Sequence, residues 1–354
     1  MDSNTPHHDP DTQLQGTPLV LSGPSVGQIA NTIANQTAHQ RYSKTKARTT
    51  RRRQIGDLQC FVRFLDAAGY EASMTPFLQA LKAGTPLQDL WPLWAGITHG
   101  LVEAFLPWQE AEGYAIGSIG VRLSTVKAYC TLAARAGVLP LSELAMIRII
   151  EGYSHREGRN IDTTRATTRR GGKKETPTII SPAHAVLLKR QPRPKDAAML
   201  CLLLDIGLRC SELASLPTSA VNLPAGTLTF YREKVDLTQT HRLTPDCLVA
   251  LQIYLPTISG PYLFPGHKDR ATGQPRPMSS NGVNKRVGEL GNQIGLVDLS
   301  PHDCRHHLLT EEARKGTDAK TLQWIGGWSS PAQALKYVND AEIANARASF
   351  FRQD

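Results

Sequence analysis

The first 40 residues of this chain contain no Lys or Arg; Thr, Asn, Gln, Pro and His dominate, and Asp2, Asp9 and Asp11 carry the only charges. Such a composition predicts a disordered tail over residues 1–25. It has neither the basic start nor the apolar middle of a secretory leader. No apolar run approaches the about 18 residues that a membrane-spanning helix needs, so no membrane partner is expected. The six cysteines are scattered and form no C-x-x-C, which argues against a disulfide framework and predicts reduced thiols in a cytoplasmic protein. Neither a G-x-x-x-x-G-K-S/T loop nor an H-E-x-x-H helix is present. His302 and His306 stand four apart, a spacing that suits zinc on a helix, but no third ligand accompanies them. We expect no metal and no cofactor.

Positive charge is what the chain has in excess. The formal charge is +9 and the pI about 9.3, which favours an anionic partner. Arg41, Lys44, Lys46, Arg48, Arg51, Arg52 and Arg53 follow the cation-free tail with no acid between them. That stretch fits a solvated helix face or a phosphate-contacting surface, and the missing acids favour the second. Ile55, Leu58, Val62 and Leu65 then recur at helical spacing, with Gly69 as the stop. Helices are predicted from Thr75-Pro76, over 101–112 and over 118–136, the last with Val121, Val126, Tyr129, Cys130 and Ala133 inward. Periodicity disappears between about 154 and 178, where Arg169, Arg170, Lys173 and Lys174 lie in a Gly-containing basic linker. The chain is long enough for two domains with cores of their own.

The second of these opens on Ser181-Pro182 and a helix, Lys195 to Ile206, that is apolar nearly all round and therefore buried. Arg209 and Glu212 follow its stop at Gly207; alone they would read as an ion pair on one helical face. Residues 227–234 alternate and predict a strand, with 235–240 as a turn and 241–244 returning. Ser279 to Ile294 predicts a helix. Ser300-Pro301 starts another, with Gly316 as its stop, and on it His302 and Arg305 share a face. A Gly326-Gly327-Trp328 turn comes next, then a short helix from Ser330-Pro331 that carries Tyr337. Adjacent short elements thus deliver an imidazole, a guanidinium, an indole N–H and a phenol, a set suited to moving a phosphoryl group onto a tyrosine.

His302-x-x-Arg305, Trp328 and Tyr337, in that order, resemble the C-terminal signature of the tyrosine recombinases, the phage integrase family. Trp328 lies 23 residues and Tyr337 lies 32 residues beyond Arg305, and both intervals fit the family. Leu208-Arg209-Cys210-Ser211-Glu212-Leu213 is similar to its first arginine box, with Glu212 as the accompanying acid. The resemblance covers roughly residues 40–345. It implies a mainly α fold with a small antiparallel β-sheet: a helical core-binding domain (26–155), a basic linker (156–178) and a mixed α/β catalytic domain with a tail helix (179–354). Lys234 would be the lysine at a hairpin tip that reaches the cleaved phosphate, and Asn281, Asn284, Lys285 and Arg286 would lie toward the major groove.

In chemical terms, Arg209 and Arg305 would hold phosphate oxygens through paired hydrogen bonds, since guanidiniums match phosphate and stay protonated. His302 would bind the same phosphate or help remove the phenolic proton. Trp328 stands where a histidine is commoner, and an indole donates a hydrogen bond but neither gives nor takes a proton in catalysis. Tyr337 would attack, leaving a 3′-phosphotyrosyl link, and Lys234 would protonate the departing 5′ oxygen. The expected function is site-specific DNA recombination and integration at a short inverted-repeat core site on double-stranded DNA. A tetramer on DNA would pass through a Holliday junction, with the tail after Tyr337 packing on its own domain or docking on a neighbour. A type IB topoisomerase-like strand transferase and an inactive DNA-binding regulator are the alternatives.

Overall fold

The computed structural model describes residues 24–167, 170, 174 and 176–341. The predicted disordered tail up to Gly23, the basic residues Arg169 and Lys173, and the tail beyond Ala341 lie outside the described residues. The chain divides into two units, 1–172 and 173–354.

Among the described residues of the first unit, eight α-helices surround an aromatic core. They are α1 (Val26–Gln36), α2 (Ala38–Lys44), α3 (Arg48–Ala67), α4 (Thr75–Ala83), α5 (His99–Ala111), α6 (Ile116–Arg135), α7 (Leu141–Ile149) and α8 (His155–Thr164). Phe61, Phe77, Trp94 and Phe105 are fully buried and meet edge-on or stacked at 5.1–6.2 Å. On α6 the buried residues are Ile119, Leu123, Thr125, Val126, Tyr129, Cys130, Leu132 and Ala133. Val121, expected inside, is instead 43% exposed; it stands five residues before Val126, which places it well round the helix from that stripe. The helix α8 occupies ground that the sequence suggested was irregular. Ser154 and Glu157 form a capping box at its start, and Gly158 lets Ile116 pack against its backbone.

The second unit begins with α9 (Pro182–Lys189) and α10 (Pro194–Cys201), which continues through a π-helical turn, Leu202–Ile206, to Gly207. The run Ala198–Leu204 is buried throughout, as expected of a helix apolar nearly all round. After α11 (Cys210–Ala214), strands β1 (Val221–Asn222), β2 (Thr227–Arg232) and β3 (Leu237–Arg242) form one antiparallel sheet in sequence order. Then come α12 (Pro245–Tyr254), α13 (Ser280–Asn292), α14 (Pro301–Arg314), α15 (Ala319–Gly326) and α16 (Ala332–Ala341). The fold is therefore mainly α with a small antiparallel sheet.

The β2–β3 hairpin is tighter than its sequence suggested. Arg232 pairs with Leu237 and Thr229 with Thr240, so residues read as turn belong to β3. Only Glu233–Asp236 bridge the strands. Asp236 takes a left-handed φ of 49° and accepts a 2.6 Å hydrogen bond from the Tyr231 hydroxyl, while Thr229 and Thr240 bond across the strands at 2.9 Å. β-branched threonines at alternate positions favour ladder over turn.

Candidate active site

Four short elements converge on one carbonyl-lined turn. Arg209 is the N-cap of α11; its backbone N–H and its Nη1 donate to the two oxygens of Glu212, at 2.8 and 2.7 Å. Its Nη2 donates to the carbonyls of Gly326 and Gly327 at 3.2 and 2.8 Å. Arg305 lies one turn into α14, which Ser300 and Asp303 open with a capping box. The Arg305 side chain is 4% exposed; it donates to Gly207 O at 2.5 Å and to Gly326 O. The carbonyl of Gly326 therefore receives both arginines that the sequence singled out.

Gly326 and Gly327 are glycines for a reason. A Cβ on Gly326 would lie 2.5 Å from the Trp328 ring, and Gly327 has a φ of +53° with the Arg232 side chain filling the space of its Cβ. The turn thus folds the indole back over the pocket. The Arg305 guanidinium sits 5.4 Å from the Trp328 ring centre, and Tyr337 stacks on that indole at 5.6 Å with 23° between planes. The His306 ring meets Tyr337 at 5.2 Å, and its Nδ1 lies 3.3 Å from the Thr310 hydroxyl. Sequence reasoning considered His306 for its metal-like spacing with His302; its place one residue after Arg305 was the available signal.

Charge in this pocket is unbalanced. Among the described residues, Glu212 is the only acid paired with Arg209 and Arg232, and Arg305 pairs with none. Burial, then the neighbouring Arg209 and Arg232, pulls Arg305 down to about 10, with Glu212 opposing. Arg232 is lowered as well, mainly by burial. His241, half-buried beside Arg232, is held down at about 4 and is therefore neutral near pH 7. Desolvated guanidinium charge with too few acids favours an anion in the pocket.

Not every residue singled out by sequence joins the cluster. His302 is exposed in the first turn of α14, and Lys234 is exposed at the hairpin tip; neither has a hydrogen-bond partner among the described residues. The DNA-contact candidates divide. Arg48, Arg51, Arg52, Lys44 and Asn284 are exposed, and others also make contacts within the chain. Arg53 pairs with the buried Asp57 of its own helix, Arg41 caps Ala34 O at 3.0 Å, and Lys46 lies over Tyr42. Arg170 pairs with Glu112 at 2.9 Å. Lys174 bonds Asp303 at 2.5 Å and Asp298 O at 2.8 Å, and Lys285 stands 4.0 Å from Glu289. Arg286 grips Asp196 through two bonds, at 3.0 and 2.6 Å, and serves the fold of its unit. All six cysteines are free thiols, five of them buried, and no group of three metal-binding side chains occurs among the described residues. No helix among them is long and apolar enough to cross a membrane.

A mainly α scaffold thus buries surplus guanidinium charge beside a half-exposed phenol. Residues 173–343 match the Phage integrase family. The chain is 25% identical over 238 residues to the tyrosine recombinase XerA of Pyrococcus furiosus, covering 66% of this chain and 73% of that one. It is 28% identical over 248 residues to XerD of Xanthomonas campestris, covering 66% and 71%. Its fold is similar to that of the Tn1549 transposon integrase in complex with a circular intermediate DNA, with a TM-score of 0.54 and 15% identity over 84% of this chain and 99% of that one. Residues 173–343 thus carry a Phage integrase domain, and the relatives that the chain resembles are tyrosine recombinases.

Proposed function

We propose that this protein recombines double-stranded DNA at a specific site, with Tyr337 as nucleophile and Arg209 and Arg305 as the phosphate clamp. The observation that supports it most is the shared indole: Arg305 lies over Trp328 and Tyr337 stacks on the same ring. A phosphate held by the guanidiniums would stand within reach of the phenol. The Tyr337 oxygen attacks phosphorus, a 3′-phosphotyrosyl bond forms, and the bond to the 5′ oxygen breaks. Lys234, on a solvent-facing tip, gives that oxygen its proton. His302 and His306 are the imidazoles at hand for the phenolic proton. A 5′-hydroxyl from a second strand then attacks the phosphotyrosine and restores both the DNA backbone and the phenol.

The energy of the broken bond is kept in the covalent link, so no ATP is needed, and two guanidiniums and Lys234 supply the charge that a divalent ion would otherwise bring. Exposed cations of α2 and α3 would add salt-sensitive phosphate contacts. Exchange between duplexes requires four active sites, so the working form is a tetramer on paired inverted-repeat sites, in the cytoplasm where DNA is accessible. The test uses DNA with one or two copies of the inverted repeat flanking the gene, in excess EDTA. Protein-linked strands and exchanged products that depend on two sites are the expected result. Relaxation of supercoiled DNA with a single site and no exchange would instead make the enzyme topoisomerase-like. No covalent link at all would make it a binding protein.

A further inference from the structure

Arg232 is the last residue of β2, and its side chain has no exposure to solvent. In the alternation Leu228, Phe230, Arg232 it takes an inward position where an apolar residue would be ordinary. A buried guanidinium is tolerated only when its donors are used and its charge is met. Here they are: Nη1 reaches both oxygens of Glu212 at 3.2 and 3.1 Å, Nη2 donates to Ile325 O at 3.0 Å, and Nε donates to Gln239. Gln239 in turn donates to Trp324 O at 3.2 Å. The hairpin thereby holds the end of α15, and the guanidinium fills the space beneath Gly327.

Glu212 thus faces two arginines, and they differ. Arg209 is partly exposed and uses one side of its guanidinium on the carboxylate; Arg232 is sealed away from any phosphate. We infer that Arg232 is a positioning residue for the strand-transfer reaction, which fixes Glu212 under Arg209 and offsets the acid's charge so that the pocket stays anion-binding. Without Arg232, the full charge of Glu212 would fall on Arg209, leaving less positive charge for phosphate. The carbonyls of Ile325 to Gly327 would also lose their support, and they orient Arg209, Arg305 and Trp328. Arg232 stands two residues before Lys234, so the same strand end sets the height of the tip.

The inference rests on the proposed phosphoryl transfer to Tyr337, and the experiment separates the two. Single-turnover formation of protein-linked DNA is measured on a nicked suicide duplex carrying the inverted repeat flanking the gene, alongside duplex affinity and Tm. The variants are Arg232→Met, Arg232→Lys, Glu212→Gln and the double variant Arg232→Met/Glu212→Gln. Arg232→Met should bind DNA within about threefold of wild type and lose on the order of 10²-fold in the chemical step, the range expected for one electrostatic contact in a dry site. The double variant, which removes the acid's charge along with the cation, should regain at least about tenfold, because the Glu212→Gln side chain still accepts from Arg209 while the charge balance returns. A residue that merely supported the fold would show no such rescue.

Should Arg232→Met unfold at the assay temperature, Arg232→Lys decides: retention of at least about a tenth of the wild-type rate supports the charge role, and a lower rate with native Tm overturns it. Wild-type cleavage by Arg232→Met, or a double variant no faster than the single, also overturns the assignment. If the wild-type protein itself forms no covalent complex, the reading of Tyr337 fails, and this assignment with it.

Discussion

Trp328 carries two interactions at once, a cation over its ring and a phenol stacked on it. The sequence led us to treat this residue as an N–H donor; the structure adds a plate that fixes the distance between Arg305 and Tyr337. Trp328→His, which keeps a ring and an N–H, should cleave within about tenfold of wild type, whereas Trp328→Ala should lose on the order of 10²–10³-fold, as for removal of a donor in a dry site. Trp328→Phe separates the two contributions by keeping the ring and losing the donor. Equal rates for Trp, Phe and Ala would remove the indole from the site. His241 makes a different prediction, about stability. Its folded value is about 4, depressed by burial first and by Arg232 second, against about 6.5 unfolded. The unfolded chain therefore takes up the proton first, so stability falls as pH drops from about 6.5 to about 4, by up to about 3 kcal/mol. His39 and His307, also lowered by burial, act in the same direction. His241→Gln should flatten this part of the Tm–pH curve without abolishing its slope; an unchanged slope would show that His241 is not held neutral.

At the scale of elements, what could be read in advance was what local chemistry marks. Ser300-Pro301 and Gly316 bracket α14 because caps and left-handed stops depend on a few neighbouring atoms. Arg209, Arg305, Trp328 and Tyr337 were legible by spacing, and the structure brings them to one turn. Arg232 was missed although its alternation with Leu228 and Phe230 placed it inward, because an arginine in a strand is ordinarily read as solvated. The carbonyls of Trp324 to Gly327 carry no side-chain signal at all. Hairpin register was misjudged for a related reason: Asp236 adopts a left-handed conformation that a non-glycine residue does not announce. The four-residue tip resolves where Lys234 stands and sharpens its test. Lys234→Ala should cleave slowly because a 5′ alkoxide leaves badly unprotonated. On a substrate with sulfur at the bridging 5′ position, most of the rate should return, since a thiol titrates near 8.5 and leaves without help. Arg305→Ala should show no such recovery. Equal responses of the two variants would make Lys234 a phosphate-binding cation and place the acid elsewhere.

At the scale of the whole molecule, a basic chain of two units carries a desolvated pocket with charge to spare. Charge composition alone indicated an anionic partner; the placement of Arg209 and Arg232 on one carboxylate, with Arg305 near by and unpaired with any acid among the described residues, supports this pocket as its place. The central claim is that Tyr337 becomes covalently attached to DNA. The most direct measurement is denaturing electrophoresis of wild type and Tyr337→Phe on the nicked suicide duplex, followed by mass mapping of the DNA-linked peptide. The account predicts a denaturant-resistant complex for wild type, a nucleotide adduct on the peptide containing Tyr337, and no complex for the Phe variant despite unchanged DNA binding. A complex that survives in the Phe variant, or an adduct on another residue, would contradict it.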